Sequence, residues 1–280
     1  NEQRPGRGEA NALGNLVNSD QRCANVLFHM IGLGYGQSID STLLKELSEA
    51  GTSCFTYVSD GTLIGTAITS ALANASCTAK PDACMKLCFS SAPGSVSVHG
   101  FANANRGGVQ QNTAEIKIGR ILRGQPKVFM VECSSPADLT NVEFVGSPSA
   151  CVVTQDSPWS SPGYVAAWTS GELFGALNIG ETQGRPYGLK KIGEIVQTLK
   201  TNGGALPIIK DLVDDLQGEV SMAFNREDYW SKWGKHYVCS MVRVLALQEC
   251  GNFKDKGMQH FCPDGSVVCD LRDHADSIFT

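Results

Sequence analysis

Three groups of residues in this chain have the types and spacing that chemistry needs. In FHMIGLGYGQSIDSTLLKEL, residues 28–47, an apolar run ends in Gly32, Gly34 and Gly36, and a helical pattern follows. That is the layout of a loop whose backbone N–H groups cradle a phosphate at a helix N-terminus. A second strand-like run, CFTYVSD, closes on Asp60, an acid placed where a ribose hydroxyl could be held. A dinucleotide fingerprint requires G-x-G-x-x-G. Here the third glycine comes one residue early, and Gln37 stands in its place. The alternation of strand and helix also stops after one more strand and helix, too little sheet for a dinucleotide fold. The plainer reading is that Gly32, Gly34 and Gly36 let the chain turn sharply off a strand end.

Cysteines form the second group. The chain has 11, an odd count, so at least one thiol is free or pairs outside the chain. Cys77, Cys84 and Cys88 lie together in SCTAKPDACMKLC, and Cys262 and Cys269 bracket a Pro-Asp-Gly turn signal. These five are the candidate disulfide residues, with a short loop bridged by Cys262 and Cys269 the easiest closure. Buried free thiols are the competing reading. His260, Cys262, Cys269 and His274 have the ligand types of a zinc site, but their spacing matches no usual zinc pattern. Asn74-Ala-Ser76 is a glycosylation sequon.

His236 and Cys239 are the third group. Three residues apart on one helix, they face a similar direction, and a Cys–His pair can make an activated nucleophile. Both sit in an apolar, aromatic stretch, where such residues pack as core, and no orienting Asn or Asp is evident. No residue is therefore assigned a catalytic, cofactor-binding or metal-binding role.

The elements that would position these groups change period along the chain. Residues 24–34 read as a continuous apolar strand buried on both faces. DSTLLKELSEAG reads as a helix capped by Asp40 or Ser41 and stopped at Gly51, with Leu43, Leu44 and Leu47 as its apolar face. CFTYVSD is the next strand. GTLIGTAITSALANAS is the next helix, with Leu63, Ala67, Ile68, Ala71 and Leu72 inward. From about 89 to 156, short alternating segments punctuated by turns suggest a small β-sandwich. Residues 157–170 read as a Pro/Ser linker. Beyond it come helices carrying Leu189, Ile192, Ile195, Val196 and Leu199, then Ile208, Ile209, Leu212, Val213 and Leu216 after Pro207. A last helix runs from a cap at Asn225 to Gly251, with an aromatic stripe of Tyr229, Trp230, Trp233 and Tyr237 read as core.

A net charge of -5 with no basic block argues against nucleic acid as a partner. No apolar run reaches the roughly 18 residues of a spanning helix. The opening residues NEQRPGRGEA read as neither signal peptide nor anchor. Compartment is not fixed by these features; the cysteine count leans toward a secretory, extracellular or organelle-lumen location.

FHMIGLGYG, the helix DSTLLKELSEAG, the strand CFTYVSDG and the helix after it resemble the second half of a von Willebrand factor type A (VWA) domain, whose fifth strand runs into Gly-x-Gly. RILRGQPKVFMVE, followed later by DYWSKWGKHYVCSMVRVLALQECGNFKDKGMQHF, resembles the intein-like (Vwaint) region of VWA proteins that carry a Hint (hedgehog/intein-like) module. The Trp-Gly-x-His-Tyr, the Cys-x-Asn-Phe-Lys-Asp and the Gly-x-Gln that follows carry that second resemblance. Together the two span residues 1–261. They imply a multi-module α/β, β and α chain. Residues 1–80 are the C-terminal half of a VWA (Rossmann-like) sheet with its helices, 89–156 a small β-sandwich, 157–170 the linker, 171–261 a helical module and 262–280 a tail.

The family's metal motif, Asp-x-Ser-x-Ser, is not in this sequence. The resemblance therefore transfers no metal ligand, and Mg²⁺ is expected only with the VWA half that is missing here. The implied function is a non-catalytic interaction or assembly subunit. Its partner would be a protein: the N-terminal VWA half or a larger complex. A fragment of an autoprocessing Hint-containing precursor is the alternative. A nucleotide-binding enzyme using the Gly32–Gly36 loop and Asp60 is the second. Without that half the strand at 26–31 would have one bare edge, and because an unpaired apolar strand recruits another, a second polypeptide is expected to cover that edge rather than leave it facing water.

Overall fold

The computed structural model describes residues 8–19, 26, 28–51, 53–91, 96–98, 112–133, 139–145, 158–203, 206–251 and 255–279. The chain is a mixed α/β protein with small sheets and a helical C-terminal part. Helix α1 (Gly8–Ser19) precedes β1 (Met30–Leu33), α2 (Ser41–Ala50), β2 (Phe55–Val58) and α3 (Ile64–Ser76). β1 and β2 pair in parallel, Met30 opposite Phe55 and Leu33 opposite Val58. Asp40 caps α2 by accepting from the Leu43 N–H at 3.0 Å, and Gly51 ends it, as the sequence reads.

Two expectations for this part are corrected. The strand expected over 24–34 is only four residues long, and it is not covered on both faces: Ile31 and Leu33 are exposed. The buried stripe of α2 is Ser41, Lys45 and Ser48, with its leucines only half-buried. Likewise α3 buries Thr69, Ser70, Ala73 and Asn74 beside Ala67, and leaves Leu72 exposed. Both helices turn hydrogen-bonding groups inward because their inner neighbour, described below, offers polar partners.

The β region holds β3 (Thr78–Phe89), β4 (Val96–Val98), β5 (Thr113–Leu122), β6 (Val131–Cys133) and β7 (Leu139–Val145). β3 is the centre of an antiparallel sheet in the order β5-β3-β7, and β4 pairs with β6. Ala83, Met85, Leu87, Val96, Ile116 and Ile118 join the two sheets in one core. β3 lies almost wholly before the expected boundary at 89. Pro81 hides it from the sequence pattern. Proline has no N–H for the ladder, and the register shifts between Lys80 and Ala83 accommodate it. Of the strand-like segments read in 95–101 and 141–155, only 96–98 and 141–145 fall within the described residues.

The helical part comprises α4 (Pro162–Thr182), α5 (Arg185–Asn202), α6 (Pro207–Asp215), α7 (Ser221–Asn225), α8 (Glu227–Tyr229), α9 (Lys235–Leu247), α10 (Lys256–Gln259) and α11 (Val267–Phe279). The expected linker is largely helix. Ser161 caps α4 with Pro162 in its first turn, and a proline there costs no helical hydrogen bond. The expected tail is also a helix, α11, packed on α3. Ile192, Ile195, Val196 and Leu199 of α5 are buried, as are Ile208, Ile209, Leu212 and Val213 of α6, matching the periodicity.

The last helix is broken where the sequence reads it as continuous. Trp230–Gly234 form a π-helical turn, and the chain leaves α9 at Gln248, in the left-handed region at φ 51°, rather than at Gly251. Trp230 and Trp233 are half-buried against the core, and Tyr237 is buried. Every residue of α9 from His236 to Leu247 is buried. Cys54, Phe55 and Tyr57 share one core with α4, α5, α6 and α9. The segments expected as separate modules at 1–80 and 171–261 are thus built around a common helix.

Candidate functional site: the glycine loop and the two edges of the parallel pair

Gly32 sits on β1 where a Cβ would lie 3.1 Å from Leu44, 3.2 Å from Phe55 and 3.3 Å from Ile39. Gly34 and Gly36 have φ of 120° and 72°, backbone that side-chain-bearing residues avoid. The loop's carbonyls are taken by the protein. The Tyr57 hydroxyl donates to Gly34 O at 2.8 Å, and His236 Nε2 donates to Gly36 O at 2.9 Å. With that proton on Nε2, His236 Nδ1 accepts from the Ser41 hydroxyl at 2.5 Å. Burial holds the imidazole below its usual pKa, against the opposing pull of the Gly36 carbonyl, so the neutral ring is the one that fits.

The two acids of the nucleotide reading are both committed locally. The Asp40 side chain accepts from Leu43 N–H at the N-terminus of α2, and Asp60 accepts from Thr62 N–H at 2.8 Å. A carboxylate already occupies the helix end where a phosphate would bind. This geometry gives the glycines a backbone task.

His236 and Cys239 do not form a nucleophilic pair. Both imidazole nitrogens are engaged elsewhere, and burial pushes the Cys239 thiol up to about 12. The zinc candidates separate as well. His260 Nε2 contacts Asp211 on α6 at 2.8 Å, while His274 is exposed on α11. Among the described residues no group of three or more His, Cys, Asp or Glu side chains could hold a metal ion.

The five candidate disulfide cysteines are free thiols in the structure. Cys84 and Cys88 lie four residues apart on extended β3, about 13 Å along the strand, too far to pair with each other. Cys77 joins Cys262 and Cys269 in a separate buried cluster. Asn74 of the sequon is buried, and its amide donates to Cys250 O at 2.7 Å, so glycosylation there would require unfolding.

The sequence pattern missed what α9 does to the β1–β2 pair. Hydrogen bonds at each end, Met30 N to Cys54 O at 3.0 Å and Gly34 N to Val58 O at 3.1 Å, turn the even residues of β1 toward β2. By the alternation of a parallel ladder, the N–H and C=O groups of Ile31 and Leu33 then point to β1's outer side. No strand pairs there among the described residues. On the other side, the Ser240 hydroxyl accepts from Tyr57 N–H at 3.1 Å and donates to Phe55 O at 3.0 Å. Buried Arg243 donates to Ser53 O at 3.0 Å and to Ser48 O at 3.2 Å. One edge is therefore sealed by helix side chains. The other is open among the described residues and flanked by Ile31, Leu33 and Tyr35, the last two 49% and 56% exposed.

The end of α9 is fixed by a second polar network. Gln248 accepts from Val128 N–H at 3.0 Å and donates to Val128 O at 2.7 Å. Glu249 is buried against Arg120, with Nε to Oε1 at 3.0 Å, and Lys127 lies 3.9 Å from it. Burial would raise the Glu249 carboxyl, but the two cations outweigh it and hold it low; burial brings Lys127 down to about 8. Gly257 packs so close to α6 that a Cβ would meet Leu212 at 2.6 Å, and its N–H donates to Asp215 at 2.9 Å. The Tyr237 hydroxyl donates to Asp255 at 2.6 Å, so this acid is tied inward rather than left to solvent.

Residues 207–277, from α6 to α11, match the family model described as VWA / Hh protein intein-like (Vwaint). The match includes the Trp-Gly-x-His-Tyr and Gly-x-Gln stretches, whose His236, Tyr237 and Gly257 make the contacts above. It fits a protein of the VWA/Hint type. No curated protein and no solved structure matches the chain.

Proposed function

We propose that this chain is a non-catalytic assembly module of a VWA/Hint-type protein, and that its working surface is the open edge of β1. The observation that carries the reading is the contrast between the edges of one two-stranded sheet. α9 seals the β2 side, whereas the β1 side keeps outward backbone groups and exposed apolar side chains. Such an edge takes up an extended segment through main-chain hydrogen bonds, with pockets for alternate side chains. The occupant in this reading is a strand from outside these residues that continues a VWA-type parallel sheet. Any Mg²⁺ would arrive with that added portion. Among the described residues no helix is long and apolar enough to cross a membrane, and the partner we assign is a protein.

The test uses residues 1–280 in light scattering across a concentration series, beside an Ile31→Lys/Leu33→Lys variant. The parent chain is expected to self-associate through the edge, and the variant to stay monomeric with an unchanged melt. A parent that is monomeric at every concentration, with a cooperative melt, overturns the reading. Calorimetry with Mg²⁺ is expected to give no saturable site; a tight one would remove that part of the proposal. The family match over 207–277 also suits a second reading, a segment of an autoprocessing Hint-containing precursor. Intact mass and both termini of the native protein separate the two.

A further inference from the structure

Four cysteines at the ends of four helices meet in one small core. Cys77 follows α3, Cys250 follows α9, Cys262 follows α10, and Cys269 lies in the first turn of α11. All four are buried together with Ala73, Leu122 and Val268. Cys262 is the middle of a chain, hydrogen-bonded to Cys250 on one side and to Cys269 on the other. Arg272, three residues beyond Cys269 on the same helix, spreads its guanidinium over two of the thiols. Its Nη1 donates to Cys262 Sγ and its Nη2 to Cys269 Sγ, both at 3.3 Å. Ser70 from α3 hydrogen-bonds to Cys250.

A cation aimed at sulfur favours the thiolate, the form that attacks disulfides. The Cys250 thiol is held below its usual value, first by the hydrogen bond from Cys262 and then by Arg272. The contact with Cys250 and burial push its neighbour Cys262 up. The two thiols share one buried cluster beside a guanidinium, the arrangement that attack by one and resolution by the other require. No role assigned above to the β1 edge or to the VWA/Hint match uses these groups.

We propose that Cys250 and Cys262, with Arg272 as a positioning residue, form a redox-responsive thiol pair whose oxidant is a low-molecular-weight disulfide such as glutathione disulfide. Cys250 thiolate attacks one sulfur of the oxidant; the oxidant's S–S bond breaks, a glutathione thiolate leaves, and Cys250 carries the mixed disulfide. Cys262 gives its proton to solvent, and Arg272 stabilises the thiolate that forms. That thiolate attacks Cys250 Sγ and expels the second glutathione as thiolate. Two protein thiols and one glutathione disulfide thus become one protein disulfide and two molecules of glutathione. The new bond staples the segment at the foot of α11 to the end of α9. The pairing differs from the Cys262–Cys269 loop that the sequence spacing favours, and Cys269 serves instead as a neighbour on the same arginine. Because both thiols are nearly inaccessible, the oxidant enters when α11, whose outer face carries exposed Val267 and Ile278, opens locally.

The experiment equilibrates the full chain in glutathione buffers from reducing to oxidising, quenches with acid, alkylates under denaturing conditions and maps linked peptides by mass spectrometry. The expected result is a Cys250–Cys262 peptide that rises in a single redox transition and is reversed by reduced glutathione. Protease cleavage within α11 should slow severalfold on oxidation. Arg272→Met should slow the closure severalfold while circular dichroism is unchanged, and Arg272→Lys should restore part of the rate. Cys262→Ala should abolish the linkage; should that variant fail to fold, the wild-type map alone decides. Full alkylation of Cys250 and Cys262 in oxidising buffer overturns the proposal. So does linkage of Cys262 to Cys269 alone, or a scatter of pairings that includes Cys84 and Cys88.

Discussion

The two edges of the β1–β2 sheet start from the same backbone and end differently. Each presents N–H and C=O groups that must find partners or water. On the β2 side, Ser240 and Arg243 take up three backbone groups along β2 and its lead-in, Tyr57 N–H, Phe55 O and Ser53 O, from a helix almost two hundred residues away, and Arg243 reaches Ser48 O of α2 as well. On the β1 side Ile31, Leu33 and Tyr35 remain exposed, with no strand beside them among the described residues. A helix can close a sheet edge with side chains, but it offers only a few donors and acceptors and ends the sheet there. An open edge can be extended by a full strand. The difference separates an edge closed by a helix from one that a further strand can extend, and the second is the edge that the proposed assembly role would use.

That comparison is tested most severely at Arg243. Arg243→Met should cost roughly 3–5 kcal/mol in urea unfolding, because the Ser53 carbonyl loses its guanidinium donor, the Ser48 carbonyl keeps only the Ser53 N–H, and the vacated space is imperfectly filled. Ser240→Ala should cost about 2–3 kcal/mol, since Tyr57 N–H is left unpaired and Phe55 C=O keeps only the weak Cys54 thiol donor. Gly34→Ala has room for its methyl, the nearest atom being Ile39 Cδ1 at 3.9 Å, so only backbone strain at φ 120° is paid. We expect a loss of about 1–2 kcal/mol there, with association following the folded fraction. A folded Gly34→Ala chain that has lost association would give the glycine a binding role. Leu33→Lys should move stability by no more than about 0.5 kcal/mol and act on association alone. If it destabilises as much as Ser240→Ala, the β1 edge is part of the core and the contrast fails.

Much of the local structure was legible. Asp40 and Gly51 bound α2, Pro207 opens α6, and the apolar positions of α5 and α6 are buried, because capping chemistry and helical period are local properties. The glycine loop was legible too: an isolated Gly34 and Gly36 after a strand require no more than a turn with positive φ, which is their conformation here. The inward faces of α2 and α3 were not. A hydrophobic count favours Leu43, Leu47 and Leu72, yet Ser41, Ser48, Ser70 and Asn74 are the buried residues. They face α9 and the chain just beyond it, where His236, Arg243 and the Cys250 and Gly251 carbonyls supply hydrogen bonds.

Composition and periodicity determined that this chain folds as α/β with helices toward its end, and the stretch after Asn225 determined its likeness to the intein-like family. Only the tertiary structure decided that α9 is the common wall of segments that read as separate modules. It also decided that Cys84 and Cys88 cannot pair with each other while Cys77 and Cys250 join Cys262 and Cys269. The physical reason is the same in both cases. Helical and strand periods report which side of an element is apolar, whereas a buried hydrogen bond or a thiol contact depends on which distant backbone group arrives opposite, and no local pattern records that.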